Sequence, residues 1–133
     1  VSDKKRIKKD GIATKMAKDM IRISNMVFFA YHGLEEVEKQ SGQRFEVDVE
    51  LILDLQKAGR SDNLNNTVDY RRVYEVVEEI VIEGDYNLLE AIAEDIAAAI
   101  LKKFRVEEVV VRVRKPQVPL PGLSDGVEVE IVR

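Results

Sequence analysis

Lys115 stands where strand periodicity calls for an apolar side chain. Along Glu108-Val-Val-Val-Arg-Val-Arg-Lys115-Pro116 an extended chain alternates its side chains between faces. Val109, Val111 and Val113 therefore share one face with Lys115 next in the row, while Val110, Arg112 and Arg114 occupy the other. An ammonium at the end of a valine row is partly desolvated, which disfavours its charged form and suits a lysine to general acid/base work near neutral pH. The alternative is a lysine that snorkels to water from the strand end. Pro116 ends the strand and Pro119-Leu-Pro121-Gly122 stiffens the loop beyond it, which favours a constrained rim over a mobile tail.

Other chemistries find few residues. With one histidine, His32, and no cysteine, a zinc site of imidazoles or thiolates lacks ligands. No loop clusters acids at the spacing of a calcium or magnesium site, so a chain free of metal and cofactor is expected. His32 itself reads as a turn residue.

The elements that must position Lys115 belong to a single domain, since 133 residues at 45% hydrophobic content leave room for one core. No apolar run is long enough to span a membrane, and neither a secretory leader nor disulfides are visible, so a cytoplasmic protein is expected. Residues 1–19 carry seven of the 21 Lys and Arg and three of the 25 Asp and Glu. The remainder, with 14 basic against 22 acidic residues, is too acidic for nucleic acid to be its main partner. The basic segment has no aromatic residue to stack on bases. Residues 1–19 are expected to be a disordered extension or a cloning-derived leader, with Met20 as a natural start and residues 20–133 as the folded domain.

From Met20 the pattern predicts six elements. Ile21 to Tyr31 is strand-like, with a phase slip near Ser24-Asn25 that a bulge would explain. A polar loop runs to Gln43, and Phe45 to Leu55 then alternates as a long strand with one buried face. After a loop at Ala58 to Asn63, Asp69 caps a helix with the stripe Val73, Val76, Val77, Ile80 and Val81, which Gly84 closes. Asn87-Leu-Leu-Glu90 fits a capping-box variant that opens a second helix with the stripe Leu89, Ile92, Ala93, Ile96, Ile100 and Phe104. The Lys115 strand and a strand at Val127 to Ile131 complete the order β-β-α-α-β-β. The expected class is α+β, a four-stranded antiparallel sheet with both helices on one face. Strands this long leave edges that pairing between subunits would bury, although charges such as Glu128 and Glu130 could also protect an edge.

Ala30-Tyr-His-Gly33, Gly42-Gln-Arg-Phe45, Asp62 with Thr67-Val-Asp-Tyr70, Asn87-Leu-Leu-Glu90, Lys115-Pro116 and Pro119-Leu-Pro-Gly122 with Asp125-Gly126 occur in one order. Together they resemble the dihydroneopterin aldolase family of folate biosynthesis, over Met20 to Arg133. The resemblance implies the tunnelling fold, in which sheets from several subunits close into a barrel. It also implies a homo-octamer of two stacked rings with active sites between neighbouring subunits. By the same resemblance Lys115 matches the catalytic lysine, Tyr70 the tyrosine opening the first helix, Glu38 a loop glutamate of the active site, and Leu89 and Glu90 the pterin-reading pair. Gln117-Val118 departs from residues common in the family loop, and the extension before Met20 departs from its length.

Local sequence leaves each of these residues a second reading. Glu90 could close the capping box, Glu38 could be a solvated loop carboxylate among Glu35, Glu36 and Lys39, and Tyr70 could pack beside Tyr74. A pterin presents an N–H beside an amino group, which suits a two-oxygen acceptor such as Glu90.

The implied reaction fits what the chain lacks. Aldolases commonly use a metal or a lysine Schiff base, and the chain is far shorter than the (β/α)8 barrel of about 250 residues that commonly hosts the latter. Dihydroneopterin carries its own C=N bond as electron sink. A protein then needs only a proton acceptor for the 2′-hydroxyl, a donor for the enol, and a rigid hold on the ring. Retro-aldol cleavage to 6-hydroxymethyl-7,8-dihydropterin and glycolaldehyde is the expected activity, with epimerisation as a by-product. The alternatives are an epimerase of dihydroneopterin or its triphosphate, and a non-catalytic pterin- or purine-binding ring.

Overall fold

Phe45, Val47, Val49 and Leu51 alternate along their strand and are all fully buried. Each such side chain contributes about 1.5–3 kcal/mol by leaving water, so the row anchors its strand at the centre of the sheet. The structure is a computed structural model that describes residues 17–133. The extension expected over residues 1–19 falls, up to residue 16, outside the described residues.

In chain order the elements are β1 (Met20–Ala30), α1 (Glu36–Ser41), β2 (Gln43–Ile52), α2 (Gln56–Ser61), a 3-10 turn (Leu64–Asn66), α3 (Tyr70–Glu83), α4 (Leu89–Lys103), β3 (Glu108–Lys115) and β4 (Val127–Val132). The sheet is antiparallel with strand order β1-β2-β3-β4. The fold is thus α+β with a four-stranded antiparallel sheet, but its order differs from the one expected. Two short helices, α1 and α2, occupy segments that read as loops. They left no apolar stripe to read: Glu38 is the one buried residue of α1, and α2 has none.

The bulge in β1 is present. Pairing with β2 shifts between Ile23 and Met26, and Asn25 takes a left-handed φ of 55°. Its backbone N–H donates to Asp48 Oδ1 at 2.7 Å, so a β2 carboxylate takes up a donor that the ladder leaves over. The later strands keep strict alternation, with Val109, Val111 and Val113 fully buried opposite the β2 row.

One core receives these rows together with Met26, Phe28 and Ala30 from β1, Val73, Val77 and Val81 from α3, and Ile92, Ile96 and Ile100 from α4. α3 packs on β1, and α4 packs on β3 and β4. The other side chains of β2 and β3 form an ion ladder. Arg112 pairs with Glu50 and Glu130, each at 2.6 Å, and Arg114 pairs with Asp48 at 2.7 Å, Glu46 at 2.9 Å and Glu128 at 3.1 Å. A bidentate guanidinium holds adjacent strands in register as well as screening their charges.

Candidate active site

Lys115 follows Val113 in the buried row, as the alternation requires, and its side chain keeps 14% of its exposure. It also has a partner. Lys115 Nζ donates to Glu38 Oε2 at 2.7 Å, across 77 residues of sequence. The partial desolvation expected of Lys115 is present, and with it an ion pair that the strand pattern did not show.

Glu38 comes from α1 and is itself buried, with 9% exposure. Its Oε1 accepts the backbone N–H of Glu35 at 3.1 Å, which caps the first turn of α1. Its Oε2 also accepts from Gln43 Nε2 at 2.9 Å, and Gln43 belongs to the first residue pair of β2. Burial opposes ionisation of this carboxyl, but hydrogen bonds from Lys115, Gln43 and the Glu35 backbone outweigh it. The carboxyl is held below its ordinary value of 4.5. The solvated-loop reading of Glu38 therefore fails.

A cavity of about 260 Å³ opens beside this pair. Glu38, Leu89, Glu90 and Lys115 all line it, with Leu34, Asn87 and the loop residues Val118 to Leu120 around them. Four of the five residues singled out in the sequence thus converge on one pocket. Lys115 is its one basic side chain among the described residues, against the carboxylates of Glu35, Glu38 and Glu90.

The capping box expected at Asn87 and Glu90 does not form. Leu88 is the N-cap of α4, no side chain caps it, and Glu90 lies in the first turn, exposed. The Glu90 carboxylate makes no hydrogen bond or ion pair among the described residues. It stands at the pocket rim beside backbone N–H groups that no side chain satisfies.

Tyr70 is the exception. It opens α3, is 60% exposed, and does not line the pocket. Asp69 does cap this helix as expected, accepting the Arg71 N–H at 3.0 Å. Eleven residues separate Tyr70 from Val81 near the other end of α3, about 16 Å of helix axis. A larger cleft of about 490 Å³ lies between Leu53, Lys57, Asn65, Thr67 and Arg105 at the far end of the sheet, and it contains none of the expected site residues.

His32, read from sequence as a turn residue, is 3% exposed. Its Nε2 lies 2.7 Å from the Val81 carbonyl oxygen, and its Nδ1 accepts the Tyr86 N–H at 3.2 Å. No local pattern announces this, because both partners lie about 50 residues away.

A family profile described as FolB, dihydroneopterin aldolase, matches residues 21–132. The chain is 41% identical to a dihydroneopterin aldolase of Bacillus subtilis (strain 168) over 116 residues, covering 86% of this chain and 97% of the relative. It is also similar to a solved structure of the E. coli dihydroneopterin aldolase in complex with neopterin. That match has a TM-score of 0.80 and 26% identity, and covers 87% of this chain and 99% of the other. A dihydroneopterin aldolase from Burkholderia thailendensis, solved bound to guanine, matches with a TM-score of 0.72 and 28% identity over 86% of this chain and 89% of the other. With the profile spanning nearly every described residue and a relative this similar over most of both chains, the chain belongs to the dihydroneopterin aldolase family.

Proposed function

We propose that residues 20–133 form a cytoplasmic enzyme of folate biosynthesis. It cleaves 7,8-dihydroneopterin by a retro-aldol reaction into 6-hydroxymethyl-7,8-dihydropterin and glycolaldehyde. The observation that carries this reading is the convergence of Lys115, Glu38, Leu89 and Glu90 on one cavity in a chain of this family. Relatives solved with neopterin and with guanine support a bicyclic ring bearing an amino group beside an N–H as the ligand.

The geometry supports a role for each residue. The Glu90 carboxylate, free of a capping duty, accepts the ring N–H and amino group as a pair. Backbone N–H groups at the uncapped start of α4, beside Leu89, hold the ring carbonyl. Lys115, as the free amine left once its ammonium proton has passed to solvent, takes the 2′-hydroxyl proton through a water as the C–C bond breaks, and the ring C=N receives the electron pair. Glu38 and Gln43 fix where the Lys115 nitrogen sits. Addition of glycolaldehyde back to the opposite face would epimerise the side chain.

Tyr70 stands apart from the pocket in a single chain. We place it in the site of a neighbouring subunit, where it assists protonation of the enol, within an octamer of the tunnelling fold. Among the described residues no strand pairs with the outer edges of β1 and β4, and Val27 and Phe29 of β1 with Tyr31 just beyond it are exposed, which supports assembly. A triphosphate substrate is disfavoured, because one lysine among three carboxylates is a poor phosphate site.

Incubation with 7,8-dihydroneopterin and separation of the products tests the proposal. Stoichiometric glycolaldehyde and 6-hydroxymethyl-7,8-dihydropterin are expected. Epimer without cleavage would replace the aldolase by an epimerase, and ring binding without turnover would leave a non-catalytic pterin protein.

A further inference from the structure

The imidazole of His32 sits where three parts of the fold meet. The Val81 carbonyl lies in the last turn of α3, where helical partners run out, and it can only accept. The Tyr86 N–H can only donate. With Nε2 at 2.7 Å from the first and Nδ1 at 3.2 Å from the second, the ring is a neutral imidazole carrying its proton on Nε2. Its faces pack edge-on against Phe45 and Tyr86, each with ring centroids 5.2 Å apart.

His32 leads to both halves of the pocket, to one through its ring and to the other through its backbone carbonyl. Tyr86 receives a second bond from the same strand end, since the Gly33 N–H donates to its carbonyl at 3.1 Å. Leu89 and Glu90 follow three and four residues after Tyr86, so this pair of bonds sets where α4 begins. On the other side, Gln43 Nε2 donates to Glu38 Oε2 at 2.9 Å and reaches the His32 carbonyl at 3.4 Å. Glu38 in turn carries Lys115. The ring-binding half and the proton-transfer half of the pocket are therefore tied to one residue, the first through the His32 imidazole and the second through its backbone carbonyl.

We propose that His32 is a positioning residue of the site: its backbone carbonyl meets the Glu38 half, its neutral Nε2–H imidazole holds the Glu90 half to it, and protonation of the ring releases the Glu90 half. This rests on the reading of the pocket as a pterin site. A proton on Nδ1 would face the Tyr86 N–H, donor against donor, and the junction would open. Burial favours the neutral ring and holds its protonation below the ordinary histidine value, opposed by the Val81 carbonyl. The charged groups facing it are Asp85, which favours the imidazolium, and Lys39 of α1, which opposes it. β2 turns Phe45 and α3 the Val81 carbonyl towards the ring.

Because His32 is the chain's one histidine, isotope-labelled histidine gives a single imidazole signal in the full-length protein. The expected spectrum is the Nε2–H tautomer, titrating below free histidine, with neopterin affinity falling at the same midpoint. His32→Phe, which keeps the packing and loses both bonds, should raise the neopterin Kd and KM about tenfold or more while kcat for bound substrate changes far less. His32→Asn retains an acceptor near the Tyr86 N–H and should recover most of the affinity and lose its acid dependence. His32→Gln retains only a donor towards Val81 and should not recover it. An Nδ1–H tautomer, wild-type affinity in His32→Phe, or equal affinity in the Asn and Gln variants would overturn the proposal. If His32→Phe fails to fold, the Asn and Gln comparison decides. If the wild-type protein binds no neopterin, the pterin reading fails by itself. Backbone amide shifts at Leu89 and Glu90 in the variants then support the positioning role, and their absence overturns it.

Discussion

Removing the Lys115 ammonium separates proton transfer from binding, because the ring-holding groups lie on another element. Lys115→Ala should bind neopterin with little change and lose roughly 10²–10⁴-fold in turnover, for both cleavage and epimerisation. It also strands a carboxylate: Glu38 keeps Gln43 and the Glu35 N–H but loses its cation. A stability loss of about 1–3 kcal/mol is therefore expected, with the fold retained. Near-normal turnover with lost affinity would make Lys115 a binding residue. Glu90 behaves in the opposite way. Since it does not cap α4, Glu90→Gln should leave the melting temperature alone, yet weaken neopterin binding by about tenfold or more through loss of a charged two-point acceptor. Unchanged affinity in a direct titration would remove Glu90 from the site.

At the scale of elements, legibility followed the size of the buried face. β2, β3, α3 and α4 could be read because each repeats apolar residues at its own period into one core. The bulge at Asn25 showed as a break in that period. α1 and α2 could not be read, since six residues with at most one buried leave no periodic signal. The start of α4 misled for another reason. Asn87 is a good capping residue, but the helix begins a residue later, at Leu89, with Leu88 at its cap. Residues of the site were visible as types and spacings; the pairs that organise it were not, because Glu38 finds Lys115 and His32 finds Tyr86 through the tertiary fold. The turn before α1 shows how tightly that arrangement is held. Gly33 has φ 148°, and a Cβ there would meet Glu38 Cδ and Oε1 at 2.5 Å. Glu38 is fixed by three hydrogen-bond partners and cannot readily withdraw. Gly33→Ala should cost about 1–3 kcal/mol in backbone strain and, by displacing Glu38, reduce turnover as well. Thermal melts and kinetics on the same preparation check this, and an active variant of unchanged stability would contradict the packing described.

For the molecule as a whole, pH and assembly give separable tests. His32 binds its proton less readily folded than unfolded, so its contribution to stability is complete above its ordinary value of 6.5 and fades as the pH falls towards the folded value. Asp48, held down by Arg114 against the effect of burial, and Glu38 contribute stability above their ordinary values of 3.8 and 4.5 and lose it on further acidification. The melting temperature should therefore fall in two stages, and His32→Asn should remove the upper one. A wild-type profile that stays flat between about pH 7 and 5 would show that the imidazole is not buried neutral.

Assembly is tested by sharing sites between variants. If a site takes Lys115 from one subunit and Tyr70 from its neighbour, Lys115→Ala and Tyr70→Phe damage different halves of each interface. Each variant alone should be strongly impaired. Dissociated, mixed in equal amounts and reassembled, the two should regain roughly a quarter of wild-type cleavage. That is the fraction of sites drawing an intact lysine from one parent and an intact tyrosine from the other in a closed symmetric ring. The recovered activity should appear only in the assembled fraction on sizing, well above the 15.2 kDa of one chain. No gain on mixing, with both variants assembled, would mean that Tyr70 does not complete a neighbour's pocket, and its exposed place at the start of α3 would need another explanation.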